Sequence, residues 1–482
     1  MSDWDAIVVG AGYGGVTAAA VLASAGRRVL LLDKNDRAGG KALTVDRDGT
    51  RYDLWPIAGG PARGSRFAEL CSLIGLGETT LLTPDAACEL VHIGLDGRPR
   101  SFRVPARPVW DPRRIAAMFG RLGVPRASLG GLAALILRTA VAPGWPEDLD
   151  QVPMLELLER YRLPSPVLST LAALCNLLFV VPVDRLPASE ALSTLRDFGR
   201  GGAGRYHAGG FGSIAQAAAS FVEARGGTFL RGARVSRILV EGGRAAGVAG
   251  PAGEHRARVV LSNAGIQPTV LRLVGEERFT SAYVARVRSL EPSWAFVGVR
   301  LHLDRPIFEV PMTVVYSDES WLDQRRYDRA AAGSFPRDPL LFITVPSLFD
   351  PSLAPRGSQV ALLGTLGSPD PGSPMNDEAI RRAQDAATRL WPALRDHVVR
   401  REAFSARHVS SASRDQVVPR QGGECIGIGQ LIGQCGRSKP RARSPLPGLY
   451  FVGCDAGGYG CGTHQAVDSG FRVAAMVLGD SQ

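Results

Sequence analysis

The sequence predicts an α/β protein of more than one domain, built around a parallel sheet with helices on its faces. The first observation is the stretch from Asp5 to Thr44, where a buried strand, a glycine turn, a helix and a second strand follow one another. The second is the apolar segment from Pro105 to Leu195, which has a helical texture. The third is the stretch from Leu446 to Leu478, which combines a strand, a glycine-rich loop and a helix. At 482 residues the chain exceeds one compact core, so at least two domains are expected.

The opening stretch carries glycines in the spacing of a dinucleotide-binding turn. Gly10, Gly12 and Gly15 follow a short apolar strand in the pattern GxGxxG, and Gly14 lies in the same turn. Gly10 permits the tight turn, and Gly12 lets the backbone approach a pyrophosphate. Gly15 lets the following helix pack against the strand. These positions are therefore candidate ligand-binding residues.

The helix and the strand that follow complete this pattern. The Ala-rich helix from Val16 to Ala25 directs the free N–H groups of its first turn toward the pyrophosphate. Val29 to Leu32 supplies the second strand, and Asp33 stands where a carboxylate accepts hydrogen bonds from ribose hydroxyls. Because these parts follow in the required order over about 30 residues, we predict a bound adenine dinucleotide. The alternative is an ordinary βαβ unit without a ligand.

A second glycine turn follows the acidic residue and indicates which dinucleotide binds. Lys34 comes directly after the acid, and Gly39, Gly40 and Lys41 form a glycine pair with a cation beside it. A nicotinamide-binding domain does not need this turn. It resembles the GG(R/K) turn of the flavoprotein group that contains the amine oxidases and the carotenoid (phytoene) desaturases, where it runs along FAD. The resemblance implies FAD as the cofactor, with these four residues in contact with it.

Composition narrows the functional classes. With 45% hydrophobic and 21% charged residues, the chain is an ordinary globular protein. Seven cysteines and seven histidines show neither a CxxC pair nor metal-ligand spacing, so we expect reduced thiols and no metal site. Asp3 and Asp5 precede a strand of the fold, so no cleaved signal is expected and a cytoplasmic location is predicted. The net charge of +10 is spread over single arginines, which favours an anionic membrane surface over nucleic acid as a partner.

The middle of the chain predicts a helical cap. Arginines alternate with large apolar residues from Ile115 to Leu122 and from Leu129 to Val141. This pattern is typical of a membrane-surface or substrate-entry region, or of amphipathic cap helices with solvated arginines. Leu163 to Val183 carries no charge, but its prolines leave only Val167 to Val181 as helix, which is too short to cross a bilayer. We expect a buried helix that lines an apolar substrate cavity.

After the cap, the chain returns to the chemistry of the opening stretch. Residues 206–265 read as a glycine loop, a helix and short strands that end in Ser262-Asn263-Ala264-Gly265. The segment resembles the returning part of the FAD domain in the carotenoid desaturase and retinol saturase group, which implies that Val235 packs on the adenine through its backbone. From Leu290 to about Arg407, strands such as Phe296 to Leu301 alternate with polar loops, which suggests a mixed sheet that roofs the active site.

The last stretch predicts the other side of the cofactor site. Leu449 to Val452 is a strand, and a helix starts at Thr463 after a glycine-heavy loop. The N-terminus of that helix can present N–H groups to the N1–C2=O edge of a flavin, which becomes negative on reduction. The stretch resembles the C-terminal FAD motif of the same flavoproteins. The resemblance implies these cofactor-binding residues: Gly453, Asp455, Gly462, Gln465 and Ala466.

Together these motifs resemble the phytoene desaturase and retinol saturase-like FAD-dependent oxidoreductases, which are distantly related to flavin amine oxidases. The resemblance is strongest at residues 5–60, 205–265 and 446–478. Asp33 replaces the usual Glu, and GGYGCGTHQAVDSG replaces a loop that reads THPGxGxP in many carotenoid enzymes. A discontinuous Rossmann-like FAD-binding domain of the GR2 type is implied, with a mixed-sheet substrate domain and a helical cap. The expected bounds are 1–104, 205–289 and 421–482 for the FAD domain, 105–204 for the cap and 290–420 for the substrate sheet.

The resemblance also implies a reaction: FAD-dependent desaturation of a hydrophobic polyene, lipid or natural-product intermediate by hydride transfer to flavin N5. Because only one dinucleotide fingerprint is present, we expect electrons to leave to oxygen, a quinone or another carrier. Tyr206, His207 and His464 are the candidate catalytic residues, and hydrogen bonding to the backbone is the alternative role of each. Three other functions stay open: redox-neutral isomerisation or saturation, amine oxidation with Tyr459 in an aromatic cage, and prenyl binding by a non-catalytic escort-type protein.

Overall fold

The computed structural model describes residues 4–55, 60–107, 111–141, 144–201 and 204–480. The strands within these ranges, numbered in chain order, are β1 (Trp4–Val9), β2 (Val29–Leu32), β3 (Thr44–Arg47), β4 (Thr50–Asp53), β5 (Leu81–Leu82), β6 (Ala86–Ile93), β7 (Pro99–Pro105), β8 (Tyr206–His207), β9 (Thr228–Leu230), β10 (Arg237–Glu241), β11 (Arg244–Gly250), β12 (Gly253–Ser262), β13 (Ala295–Leu303), β14 (Met312–Ser317), β15 (Leu341–Thr344), β16 (Gln359–Gly367), β17 (Val398–Phe404) and β18 (Leu449–Phe451).

The helices in the same ranges are α1 (Tyr13–Ser24), α2 (Arg66–Leu73), α3 (Pro112–Gly120), α4 (Gly130–Val141), α5 (Met154–Arg160), α6 (Ser165–Phe179), α7 (Ala188–Gly201), α8 (Phe211–Ala224), α9 (Ile266–Pro268), α10 (Ser281–Arg288), α11 (Gln324–Ala331), α12 (Met375–Leu390), α13 (Leu394–His397), α14 (Ala406–Ala412) and α15 (Gly462–Gly479).

The first sheet is assembled from three distant parts of the chain. Its order is β10-β11-β12-β1-β2-β9, with β18 paired to β12. β1 lies in the centre and runs parallel to both neighbours, so that Ile7 is opposite Leu30 on one side and Val260 on the other. Helices cover the sheet, which explains why its central strands are apolar on both faces. This parallel, helix-covered arrangement is the predicted Rossmann-like fold.

Two helices from opposite ends of the chain pack closely on this sheet. α1 lies against α15, and a Cβ atom added at Gly470 would be 2.5 Å from the Cβ atom of Thr17. α1 begins at Tyr13, earlier than the predicted Val16, because its first turn accommodates the glycines of the turn. The close approach of the two helices fixes the C-terminal glycine loop beside the N-terminal one.

The second sheet has the order β17-β13-β16-β15-β14-β6-β7. All its pairs are antiparallel except β14 with β6, so the sheet is mixed, as predicted. β13 contains the predicted strand from Phe296 to Leu301 and is buried along its whole length. β6 and β7 form a hairpin whose turn contains Asp96 and Gly97, and they pair with this sheet although the segment 1–104 was expected to join the cofactor domain.

Helices α3 to α7 form the cap over the second sheet. Their apolar side chains join those of β6, β13 and β14 in one core cluster. α6 begins before the predicted Val167 and ends at Phe179, because Val180 turns into the left-handed region with φ 56°. Within the described ranges, no helix combines the length and the hydropathy that crossing a bilayer requires. The α/β architecture with a Rossmann-like domain, a mixed sheet and a helical cap confirms the predicted fold class.

Candidate cofactor and active site

A groove follows the carboxyl ends of β1, β2, β12 and β18 and continues between the first sheet and the cap. Ligands bind at this edge of parallel α/β sheets, because helix N-termini and loop backbone converge there. Thirteen of the sequence-predicted cofactor residues line the groove: Gly10, Gly12, Gly14, Asp33, Lys34, Gly39, Gly40, Lys41, Val235, Gly453, Asp455, Gly462 and Ala466. The structure therefore brings both glycine motifs to one cavity.

Two other predicted residues lie behind the groove lining. A Cβ atom added at Gly15 would be 2.0 Å from the carbonyl oxygen of Gly10, so Gly15 allows the helix to approach the strand. Gln465 is buried in α15, and neither atom of its amide has a hydrogen-bond partner among the described residues. Gly15 therefore supports the groove from behind, whereas cofactor binding by Gln465 stays a prediction.

The two glycine turns touch each other directly. A Cβ atom added at Gly14 would lie 2.7 Å from the Cα atom of Gly453 and 2.8 Å from its nitrogen. Real Cβ atoms do not approach backbone so closely, so only glycine lets the two turns meet at this distance. The N-terminus of α1 therefore faces the loop after β18 across a narrow cleft, where first-turn N–H groups can bind a pyrophosphate.

Asn263 holds this junction and is a site residue that the motif analysis did not single out. Its amide nitrogen donates to the carbonyl of Val452 at 3.0 Å, and its amide oxygen accepts from the N–H of Gly12 at 3.2 Å. Added Cβ atoms at five glycines would lie within 3.4 Å of Asn263: Gly10, Gly12, Gly14, Gly15 and Gly453. The sequence feature that could have identified Asn263 is its position directly after the buried strand β12, at the edge of the sheet where ligands bind.

Asp33 occupies the position predicted for ribose recognition. Its Oδ2 atom accepts from the Ala11 N–H at 2.7 Å, and its Oδ1 atom accepts from the Asn35 N–H at 2.8 Å. Burial raises the pKa of Asp33, and these hydrogen bonds offset part of the rise. Each oxygen keeps a free lone pair, so the carboxylate can also accept from two ribose hydroxyls. The site therefore fits the adenosine half of FAD.

Asp455 belongs to a buried ionic network. The backbone N–H groups of Ile266 and Ile428 donate to its two oxygens, both at 2.9 Å. Arg414 pairs with Asp455 at 3.0 Å and with Glu424 at 2.8 Å. Burial raises the pKa of Asp455, but the Arg414 charge and the backbone donors outweigh it and lower the pKa. Asp455 was predicted as a cofactor-binding residue, whereas Arg414, which also lines the groove, was not predicted.

The far end of the groove is apolar. Leu177, Leu178 and Val180 from the cap line it together with Trp55 and Phe296. Every described residue that α6 and the second sheet add to the lining is therefore hydrophobic. The backbone before Trp55 is fixed by the second sheet, because Arg300 in β13 donates to the carbonyl of Leu54 at 2.8 Å.

Val180 is the strained point of this wall. A β-branched residue in the left-handed region is a conformational outlier that neighbouring contacts must hold in place. The N–H of Trp294 donates to the Val180 carbonyl at 2.7 Å. The Asn176 amide donates to the carbonyls of Val181 and Leu322 at 2.9 and 2.8 Å. These hydrogen bonds turn the chain so that the end of α6 faces the groove.

The three candidate catalytic side chains do not line the groove. The Tyr206 hydroxyl donates to Asp53 at 2.7 Å, and its ring stacks on Phe349 at 4.8 Å. The Nδ1 atom of His207 is 2.6 Å from the Ser213 hydroxyl. These contacts occupy both side chains in the packing between β4, β8 and α8, so the geometry does not support a catalytic role for either.

His464 has a similar structural role. Its Nε2 atom is 3.1 Å from the carbonyl oxygen of Gly60, and its ring packs edge-on against Phe67 and Phe198. Burial lowers the pKa of His464 below its ordinary value, so the neutral ring is favoured. Tyr459, the candidate for an aromatic cage, is 42% exposed outside the groove. Aromatic side chains at the apolar end come instead from Trp55 and Phe296.

The chain is similar to a known protein family and to individual relatives. The family model described as flavin containing amine oxidoreductase matches residues 13–478. Prolycopene isomerase from Daucus carota is 26% identical over 76% of this chain, and the alignment spans 62% of that relative's length. Phytoene desaturase (neurosporene-forming) from Cereibacter sphaeroides is 27% identical over 74% of this chain and 72% of its own. All-trans-retinol 13,14-reductase from Macaca fascicularis is 25% identical over 98% of this chain and 85% of its own.

Solved structures show the same fold. A crystal structure of an oxidoreductase from Methanosarcina mazei has a TM-score of 0.73 and 19% identity, and the match covers 98% of this chain and 100% of that one. The sequence-based resemblance to desaturase and saturase-like flavoproteins is therefore confirmed, as is FAD as the cofactor. The chain belongs to the flavin containing amine oxidoreductase family and is an FAD-dependent oxidoreductase.

Proposed function

We propose that this enzyme dehydrogenates a hydrophobic polyene, lipid or natural-product intermediate. The observation that carries the proposal is the apolar far end of the groove, formed by Trp55, Leu177, Leu178, Val180 and Phe296. An apolar wall binds a hydrocarbon substrate through burial of its surface and expels water from it. Three relatives that are 25–27% identical to this chain are named for reactions of carotenoids or a retinoid, which supports the same substrate class.

The residues at the other end would hold the cofactor. The first turn of α1 would bind the pyrophosphate, Asp33 the ribose, and the backbone at Val235 the adenine. Lys41 is fixed beside the groove, because its Nζ atom donates to the carbonyl of Glu424 at 2.6 Å. Bound FAD supplies the hydride acceptor that a dehydrogenation needs. The cap and the second sheet would orient a C–H bond toward it and exclude water.

The positions of the charged residues in the groove favour dehydrogenation of a hydrophobic substrate over oxidation of an amine. Its carboxylates, Asp33, Asp415 and Asp455, are placed by the first sheet and the segment after α14 and not by the apolar wall. A cationic amine would therefore find no counter-ion among the described residues that α6 and the second sheet add to the groove lining. Isomerisation or saturation with reduced FAD remains the closest alternative, and the electron acceptor we propose is oxygen, a quinone or another carrier.

Anaerobic titration of the purified holoenzyme tests the proposal. Phytoene, all-trans-retinol and putrescine are added separately while the flavin absorbance band is followed. We expect a hydrophobic polyene to bleach the band, because dehydrogenation reduces the flavin, and putrescine to leave it unchanged. Bleaching by putrescine alone would contradict the proposal, and conversion of a polyene without bleaching would identify an isomerase.

We also propose that the enzyme takes its substrate from a membrane surface through α4. Ala133, Ala134, Leu137, Ala140 and Val141 are exposed on one face of this helix, and Leu137 is 65% exposed. The exposed residues Arg121 and Arg126 precede the helix, which suits anionic headgroups. Co-sedimentation with anionic vesicles, which Leu137→Glu should abolish, is the measurement. Equal binding to neutral vesicles would show that Arg121 and Arg126 do not contribute through attraction to anionic headgroups.

A further inference from the structure

The chain leaves the second sheet through residues 405–425, which we call the strap. The strap begins after β17, forms α14 and then runs along the cofactor groove. Val409, Ser413, Arg414, Asp415 and Cys425 of the strap line the same groove as Asp33. The groove is therefore lined both by the first sheet and by the strap.

Asp415 connects the strap to three loops at the carboxyl edge of the first sheet. Its Oδ1 atom pairs with Lys34 after β2 at 2.8 Å, and its Oδ2 atom pairs with Arg234 after β9 at 2.8 Å. Arg272, in the helical turn after α9, pairs with the same Oδ2 atom. Asn35 adds a hydrogen bond to the carbonyl of Ala412 at 2.9 Å. Four contacts thus converge on the few strap residues that cover the adenosine side.

The charge of Asp415 is unexpected at this position. Burial raises the pKa of this carboxyl, but the hydrogen bonds and charges of Lys34 and Arg272 outweigh it and lower the pKa to about 2. The carboxylate is therefore ionised at neutral pH, in a groove that holds the anionic pyrophosphate of FAD. A negative charge there repels the cofactor. The residue is not explained by attraction to FAD, so its contribution has to come through the protein.

We propose that Asp415 is a clasp that ties the strap over the adenosine end of the groove, so that FAD leaves only after the strap lifts. Arg234 and Arg272 are 48% and 43% exposed, and exposed ion pairs are individually weak. Lys34, which is 14% exposed, adds a third pair to the same carboxylate, and all three pairs must break before the strap lifts. The clasp therefore acts on the rate of cofactor release, whichever substrate the enzyme uses.

The experiment measures FAD release from holoenzyme carrying Asp415→Asn. Protein loaded with FAD is diluted, and the fluorescence of free FAD is followed with time. The clasp predicts release about tenfold faster than in the wild type. If Asp415 acts only through its charge on FAD, its removal has the opposite effect and release becomes slower. Unchanged or slower release from a folded variant would overturn the proposal.

Two controls separate the clasp from general effects. The first control is Asp36→Asn, which removes a carboxylate close to Lys34 in sequence. Asp36 is 79% exposed and, among the contacts described, pairs only with its neighbour Arg37. This variant should leave the rate of FAD release unchanged. Arg234→Gln should speed release in the wild type but add nothing in the Asp415→Asn background, since the pair is already broken. Additive effects in this cycle would also overturn the clasp, even if Asp415→Asn were destabilised.

Raising NaCl gives an independent readout. Ion pairs that are partly exposed weaken as salt screens them, within roughly 0.05 to 0.5 M. We expect salt to speed FAD release from the wild type several-fold and to have little effect on Asp415→Asn. Equal salt dependence of the two proteins would assign the effect to FAD itself and contradict the clasp.

Discussion

The two ends of the groove are built by different principles. At the cofactor end, backbone determines the site: Gly14 touches Gly453, and Asn263 fills the space that five glycines leave open. At the substrate end, side chains determine it, since Trp55 and Leu177 come from distant segments and share only their apolar character. The first end tolerates almost no added atom. The second can change its shape by simple substitution, so a substrate can change while the cofactor stays.

The largest effect is expected from closing the cleft between the two turns. Gly14→Ala places a Cβ atom 2.7 Å from the Cα atom of Gly453, so the two backbones must separate. We expect FAD affinity to fall at least about a hundredfold, measured by the flavin retained after dialysis. Gly120→Ala is the control, because an added Cβ atom there has no neighbour within 4 Å. Normal FAD retention by Gly14→Ala would remove the distinction between the two ends.

A charge at the substrate end should affect turnover and spare the cofactor. Leu177→Asp puts a carboxylate in the apolar wall, where an unpaired charge disfavours a hydrophobic substrate. We expect kcat/KM to fall about a hundredfold with a full flavin spectrum. Leu95→Asp, at a side chain that is 95% exposed, should change neither quantity. Loss of FAD from Leu177→Asp would show that the two ends are not independent.

A carboxyl outside both ends should make stability depend on pH. Burial raises the pKa of Asp53 to about 6, although Thr44, Tyr206 and the Phe211 N–H donate to it and lower the pKa. Since the folded pKa exceeds the unfolded one, this group favours folding at low pH, and the contribution is lost as the pH rises from about 4 through 6. We expect the wild type to lose about 2–3 kcal/mol over this window relative to Asp53→Asn.

Urea unfolding of both proteins at pH 4.5 and pH 7, at the edges of roughly this window, checks the prediction. The difference between the two free energies of unfolding is the relevant quantity, because all other titrating groups are shared. The same difference at both pH values would mean that Asp53 titrates near its ordinary value. Tyr206→Phe, which loses one hydrogen bond to Asp53, should lower stability by about 1 kcal/mol and keep the FAD site intact.

The smallest effect concerns the strained turn at the end of α6. Val180→Gly relieves a left-handed conformation that costs a β-branched residue about 1–2 kcal/mol, but it loses a buried side chain of similar value. We expect the free energy of unfolding to change by less than about 1 kcal/mol. Val181→Gly is the matched control, since it is equally buried and has no positive φ, and should cost about 2–4 kcal/mol. Equal losses in both variants would mean that Val180 carries no strain.

The parts of the site that follow from short spacing were predictable. Gly10, Gly12 and Asp33 lie within one βαβ unit, where local geometry determines their positions. Asn263 and Arg414 were not predicted, because each acts through contacts with residues that are distant in sequence. A short sequence motif cannot reveal a contact between residues that lie far apart along the chain.

The catalytic candidates show that the chemistry of a side chain does not predict its position in the fold. Tyr206 and His464 have reactive side chains near glycine loops, which suggested a place beside the flavin. The fold gives each of them a packing partner and a hydrogen bond outside the groove. A side chain's chemistry does not reveal which way it faces. The end of α6 was misjudged for a related reason, since a left-handed valine is held only by tertiary hydrogen bonds.

The pairing of β18 with β12 sets the order of biogenesis. β12 ends at Ser262, but its partner β18 begins only at Leu449. The ribosome must therefore synthesise nearly two hundred residues between the two strands. Until Gly453 packs beside Gly14, the cofactor site of the nascent chain is incomplete. Flavin uptake is therefore a late event, which follows synthesis of the whole cap and the second sheet.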